Sequence, residues 1–309
     1  MLNRRHLRIK VLQVLYAYFQ SNGNDFKVVE KELMNSIERI YDIYLYLLLA
    51  FEELKDVEEQ KNAESKLKSR STNDRFVQNK TIALIAESSE LREAAENNRV
   101  NWIGDEHREM FKKVMQQIRE SELFFNYMQA DSDTFEEDKN FAVALFKAEI
   151  ANSPLIYNFF EEKSIHWMDD IDLACGIALK TIKQATEGKA ITIHPLFKDP
   201  EDEIPFVKTL LRKTIANDQE NVMLIDELTK NWELDRIAKM DIILMKMAIT
   251  ELQEFNNIPK KVTLNEYIEI SKFYSTPKSS GFINGILDKA IDRLDKEKKI
   301  QKIGRGLID

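Results

Sequence analysis

The chain has 309 residues, 43% hydrophobic and 32% charged, enough to bury a sizeable core in one large or two ordinary domains. With 8 Gly, 6 Pro and a single Cys, it lacks the frequent turn residues of a β-sandwich or barrel and excludes a disulfide framework or a cysteine-built zinc site. Its formal net charge of −8 speaks against a general nucleic-acid binder.

Residues 3–20 are expected to form a helix, because Leu7, Val11, Val14, Leu15 and Tyr18 share one face. A second apolar row, Ile9, Leu12 and Tyr16, makes this helix apolar on two sides, as in a helix buried in a core or offered to a partner. Its start carries Arg4, Arg5, Arg8 and Lys10 with no acid. Arg5 and Arg8 are three apart and Arg4 and Arg8 four apart, so they project together. His6 among them reads as part of the basic arm. Ser21 to Asn24 closes the helix.

A long helix is expected over 27–56, then a polar loop or frayed helix over 57–80, whose residues 61–80 carry a formal +4. Helices are expected at 81–100, 105–130, 139–151, 154–162 and 168–187, with the acidic stretch 131–138 as a connector. Residues 190–194 are the only strand-like run, and one strand makes no sheet. The segment Asp199 to Pro205, acidic with two prolines, reads as a linker and the main boundary. Beyond it, helices are expected at 206–217, 220–231, 233–255 and 264–274, the last opened by a Thr263–Glu266 capping box. The final helix is expected over 281–298. Gly281 and Gly285 cost it about 1 kcal/mol each against Ala, which implies a packing or contact reason, and Phe282 lies off the core stripe. Residues 296–305 again carry +4, leaving −20 outside the three basic islands. Segregated charge steers a polyanion; solvated, solubilising tails are the plainer reading.

No specific catalytic pattern occurs: there is no Gly-rich phosphate loop and no GxSxG. Cys175 lies in an apolar run and reads as a buried small hydrophobe. His166 and Asp170, four apart, read as a surface pair, since two ligands do not make a metal site. No 18-residue apolar run or signal-peptide pattern is present, so the expectation is cytoplasmic, without membrane or cofactor. The residues themselves support an α-helical binding protein with a basic arm.

Four segments resemble the NusB family. Residues 259–272, PKKVTLNEYIEISK, are similar to that family's P-x-x-V-x-I-N-E-x-V-E-L-A-K. Residues 280–289, SGFINGILDK, resemble x-x-F-V-N-G-V-L-D-K, and residues 244–252, LMKMAITEL, resemble I-L-R-L-A-I-Y-E-L. Arg4-Arg5-His6-Leu7-Arg8 through Tyr16 resembles R-R-x-x-R … Q-x-L-Y. The resemblance implies an all-α fold of two packed helical bundles with a large helical insertion. The expected parts are a basic helix over 1–24, the insertion over 25–203 and a carboxy-terminal bundle over 204–309.

The resemblance also implies a non-enzymatic transcription antitermination factor. Such proteins pair with the ribosomal protein NusE on boxA RNA and help RNA polymerase read through terminators in ribosomal RNA operons. Carried over position by position, Arg4, Arg5 and Arg8 fall on the arginine-rich start that contacts RNA, and Tyr16 on a nearby contact. Asp241 and Phe282 match positions facing the protein partner, and Lys278 stands where some members carry an acid. RNA binding is expected to be weak alone and tighter with NusE. Monomer and homodimer both stay open. The alternatives are a protein-only helical interaction module and an RNA methyltransferase fusion, which requires a cofactor domain not seen here.

Overall fold

The computed structural model describes residues 2–21, 25–131, 133–229 and 237–307, apart from the side chains of Ile165 and His166. The described residues form helices and no strand. They divide into two compact units, residues 38–196 and residues 2–37 with 197–309.

The first unit holds most of α2 (Phe26–Leu67), then α3 (Lys80–Ala86), α4 (Ser89–Asn98), α5 (Asp105–Glu120), α6 (Glu122–Gln129), α7 (Phe135–Leu145), α8 (Pro154–Lys163) and α9 (Ile171–Lys183). A π-helical turn, Phe146–Ile150, continues α7. Side-chain caps cut helices that periodicity alone joins. Ser88 accepts the N–H of Leu91 at 3.1 Å and separates α3 from α4. Ser121 accepts the N–H of Phe124 at 3.2 Å and separates α5 from α6. Thr134 accepts the N–H of Glu137, so the acidic connector becomes the first turn of α7, where carboxylates suit the helix dipole.

Of the two readings open for residues 57–67, loop or frayed helix, the structure takes the helix, to Leu67, and buries part of it. Glu58 is buried there and paired with Arg119 at 2.7 Å. Asn62, also buried, donates to Asp74 at 3.0 Å. Partners from elsewhere in the unit satisfy these groups, so burial carries no penalty of unmade hydrogen bonds. The strand-like run 190–194 forms no strand. It buries Ile191 and Ile193, and the His194 N–H donates to the Tyr44 hydroxyl at 3.2 Å. The core is rich in aromatic edge-to-face contacts, with the Trp102 ring 4.8 Å from that of Tyr46 and 5.0 Å from that of Phe111.

The second unit holds α1 (Arg4–Gln20), the opening of α2, α10 (Pro200–Ala216), α11 (Asp218–Leu228), α12 (Lys239–Glu254), α13 (Lys260–Tyr274) and α14 (Ser279–Lys296). Helix α12 is its axis: every residue from Ile243 to Leu252 is buried, and it packs against α1, α10, α11, α13 and α14. The expected linker 199–205 is instead the start of α10. Pro200 sits at the first helical position, where its missing N–H costs nothing. Glu203 accepts the N–H groups of Lys198 and Asp199 at 2.8 and 3.1 Å. Residues 230–236, the expected junction of two helices, lie outside the described residues.

In the first unit a groove beside Trp102 holds Glu52, Glu53 and Asp56. Burial first, then the charges of Asp56 and Glu52, push the Glu53 carboxyl up to about 7. Its folded value lies above the unfolded one, so its contribution to stability is complete below about pH 4.5 and is lost as pH rises through about 7. Glu53→Gln is therefore expected to raise the melting temperature at about pH 8, with the gain vanishing below about pH 4.5. Paired thermal melts across that range measure it.

Candidate nucleic-acid interface

The start of α1 is built by a reciprocal cap. Asn3 Oδ1 accepts the His6 N–H at 3.0 Å, and the Asn3 N–H donates to His6 Nδ1 at 3.3 Å. Burial, then the Arg5 charge, lower the His6 pKa, which favours the neutral ring that can accept this bond. His6 thus caps the helix and adds no charge to a basic arm. Lys10 and Arg8 are also buried, which leaves Arg4 and Arg5 as the surface cations of the first island.

Arg8 is 2% exposed and meets Glu251 of α12, which is fully buried. The contact is bidentate, Nε to Oε2 and Nη2 to Oε1, both at 2.7 Å. Glu251 also accepts the Thr263 hydroxyl at 2.9 Å and the Tyr267 hydroxyl at 3.1 Å, both from α13. Burial by itself would depress the Arg8 guanidinium; the Glu251 charge and its hydrogen bonds outweigh that and hold it above its ordinary value. Burial, then the Glu251 charge, push the Tyr267 phenol well above its ordinary value, so it remains a donor. The expected RNA contact by Arg8 is thereby corrected: its guanidinium faces a carboxylate inside the protein. The expected capping box is corrected as well, since α13 starts at Lys260, one turn earlier. Glu266 instead pairs with arginines of α1, and Thr263 donates to Glu251, the partner of Arg8.

Glu266 receives Arg5 in a fork, Nε at 3.0 Å and Nη2 at 2.7 Å, and Arg8 Nη1 at 3.4 Å. Arg4 meets Asp202 of α10 through Nη2 alone, at 2.6 and 2.9 Å, and lies 5.0 Å from the Phe206 ring centre. Both pairs sit at the surface, with side-chain exposures of 30% for Arg4 and 42% for Arg5. Such pairs contribute only about 0–1 kcal/mol, and each guanidinium keeps N–H groups beyond those engaged. The two arginines line a groove of about 1080 Å³ between α1, the start of α10 and the start of α13. Tyr16 is exposed farther along α1. It is eleven residues from Arg5, about 16 Å along the axis and within about 20° of the same face.

The NusB family profile matches residues 176–292. A transcription antitermination protein NusB from Salinibacter ruber is 40% identical over 137 residues, covering 42% of this chain and 86% of that relative. The chain belongs to the NusB family. A NusB protein from Natranaerobius thermophilus is 38% identical over 91 residues, 29% of this chain and 66% of the relative. One from Chloroherpeton thalassium is 40% identical over 116 residues, 36% of this chain and 55% of the relative. No solved structure matches the chain. All three relatives are transcription antitermination proteins.

The NusB-like motif around Phe282 opens α14. Asp241, the expected partner contact at the start of α12, is 4% exposed. It accepts the Ser279 hydroxyl at 2.7 Å and also the Ser275 hydroxyl. Ser279 lies 2.8 Å from the Thr276 hydroxyl. Asp241 therefore holds the loop between α13 and α14 and faces inward, which corrects its assignment as a direct contact. Lys278 in that loop is exposed and Phe282 is half-buried. Gly281 and Gly285 are exposed on α14, and a methyl group built on either meets nothing within 4 Å among the described residues.

The remaining candidates form no site among the described residues. Burial pushes the partly buried Cys175 thiol up to about 12, so it is a poor nucleophile. The His166 side chain lies outside the described residues, and no group of three His, Cys, Asp or Glu positioned to hold a metal occurs among those described. No described helix is long and apolar enough to cross a membrane. Arg75 of the second island stacks 4.7 Å over Tyr127, and Lys66 pairs with Asp74 at 2.6 Å.

Removing one partner of a buried ion pair strands the other, at about 3–5 kcal/mol. Arg8→Ala is expected to destabilise by that amount in chemical denaturation, and Arg8→Lys recovers little because an ammonium cannot reproduce the fork. Asp241→Ala, which leaves two hydroxyls without their acceptor, is expected to cost about 1–3 kcal/mol in the same assay.

Proposed function

We propose that the chain is a transcription antitermination factor that binds boxA-type single-stranded RNA through Arg4, Arg5 and Tyr16 and pairs with the ribosomal protein NusE through Lys278 and Phe282. It does so as part of an RNA polymerase antitermination complex. The observation that carries the RNA half is the arginine arrangement at α1. Arg8 is locked to Glu251, which orients the helix start, while Arg4 and Arg5 keep outward donors beside a groove. Fork-shaped guanidinium groups suit phosphate oxygens, and an exposed tyrosine on the Arg5 face suits stacking on an unpaired base. The acidic remainder of the surface disfavours RNA elsewhere.

Support for the protein half comes from the α14 glycines. Each weakens the helix, yet neither has a close neighbour among the described residues. They leave bare backbone beside Phe282, a shape suited to a partner chain. Gly281→Ala and Gly285→Ala are each expected to stabilise the fold by about 0.5–1 kcal/mol while weakening NusE binding in calorimetric titration. Phe282→Ala is expected to weaken NusE binding and leave RNA binding by the chain alone unchanged.

For RNA, charge reversal at Arg4 and Arg5 is expected to abolish the boxA gel shift. Their replacement by Ala is expected to flatten the log–log salt dependence by roughly 1.4, about 0.7 per phosphate contact on a single strand. Unchanged affinity and slope in both pairs of variants would remove the RNA assignment and favour a protein-only module.

A further inference from the structure

The carboxy-terminal tail, the third basic island, is folded back onto the second unit. Helix α14 ends in a Schellman turn: Lys298 takes φ +58°, its N–H donates to Asp295, and the Lys299 N–H reaches the Leu294 carbonyl at 2.9 Å. The reversed chain is then held by polar contacts. Lys302 Nζ donates to the Phe255 carbonyl at 2.9 Å and the Ile303 N–H to the Asn256 carbonyl at 3.0 Å. Gly306 is buried against that same carbonyl, where a methyl group would sit 2.0 Å from the oxygen. Ile303 and Leu307 stay exposed, at 62% and 67%. Apolar burial therefore does not explain why the tail docks. What the docking does is set Arg305, between Gly304 and Gly306, on the wall of the groove that Arg4 and Arg5 line.

Three exposed cations line that groove: Lys198 before α10, Lys261 in the first turn of α13, and Arg305. None of them makes an ion pair or side-chain hydrogen bond among the described residues. The acids of the groove are differently placed. Asp202 and Glu266 hold Arg4 and Arg5, Glu203 accepts two backbone N–H groups, and Asp199 alone is exposed on the wall without an ion pair among the described residues. The uncommitted charge on the groove walls is thus three cations against the single carboxylate of Asp199, and the cations come from three separate segments.

We infer that Arg305, Lys198 and Lys261 bind the sugar–phosphate backbone of the same single-stranded RNA, and that the tail is a working wall of the RNA groove. This rests on the reading of Arg4 and Arg5 as RNA contacts. A strand has phosphates spaced along its length, which cations from separate segments along one groove can each meet, whereas a single bound phosphate needs them converged.

The test is fluorescence anisotropy of the full chain with a short fluorescein-labelled boxA RNA over a range of KCl concentrations. Arg305→Ala is expected to weaken binding roughly fivefold near 0.1 M salt and to flatten the log–log slope by about 0.7. The triple variant with Lys198→Ala and Lys261→Ala is expected to lose on the order of a hundredfold and about 2 in slope. Gly306→Ala, which displaces the tail without removing charge, is expected to shift affinity in the same direction. Lys189→Ala, an exposed lysine of the other unit, is expected to change nothing. If Arg305→Ala and the triple variant bind like the parent while Arg4→Ala with Arg5→Ala weakens binding, the tail inference is overturned and the α1 reading stands. If the α1 variants are also without effect, both fall. A loss that appears only when NusE is added also overturns the inference, and assigns these cations to a protein contact.

Discussion

A guanidinium and a carboxylate, both shut away from water, join α1 to the central helix α12. Arg8 and Glu251 each bear a charge whose burial is costly unless a partner is placed within hydrogen-bond reach. The bidentate fork supplies that partner, and Thr263 and Tyr267 fill further acceptor positions on Glu251. Rotating or sliding α1 would strand one of these charges, so the pair fixes the register of the helix. Three helices then depend on one another: α1 for its orientation, α12 for the neutrality of its core, and α13 for the donors it contributes.

That constraint determines which arginines face outward. Arg4 and Arg5 precede Arg8 by four and three residues, so locking Arg8 inward sets them at the groove edge. Glu266 links the two levels, since it touches the buried Arg8 and the surface Arg5. A parallel division of labour holds at α14. Asp241 is buried and holds the serine loop, while Lys278 and Phe282 are carried by that loop and the helix it opens. In both places one charged residue of the motif is buried while its neighbours reach the surface.

The helical class and most helix positions are legible because apolar periodicity is a local property. Helix α12 shows in its stripe of Ile243, Leu244, Met247 and Leu252, and α14 in Ile283, Ile286 and Leu287. Boundaries are less legible, since they depend on caps such as Ser88 and Ser121, single hydroxyls inside otherwise continuous patterns. The polar end of α2 is legible only as a choice between loop and frayed helix, and its burial is not, because Arg119 and Asp74, which satisfy Glu58 and Asn62, come from other helices and loops. The prolines at 200 and 205 signal a break, but Pro200 at a first helical position begins a helix as readily as it ends one. A signal for Glu251 was present: it is an acid inside an apolar run, which demands a cation.

By itself the sequence determined the all-α class, the resemblance to the NusB family and the charge segregation, because composition, spacing and motif order are written along one dimension. Only the tertiary structure decided which charges are spent and which remain. Arg4, Arg5, Arg8 and Lys10 look alike in a string of letters. Their roles diverge because Arg8 meets Glu251 inside the core whereas Arg5 meets Glu266 at the surface, each acid more than two hundred residues away, and the strength of an ion pair depends on burial and distance, neither of which the chain order records.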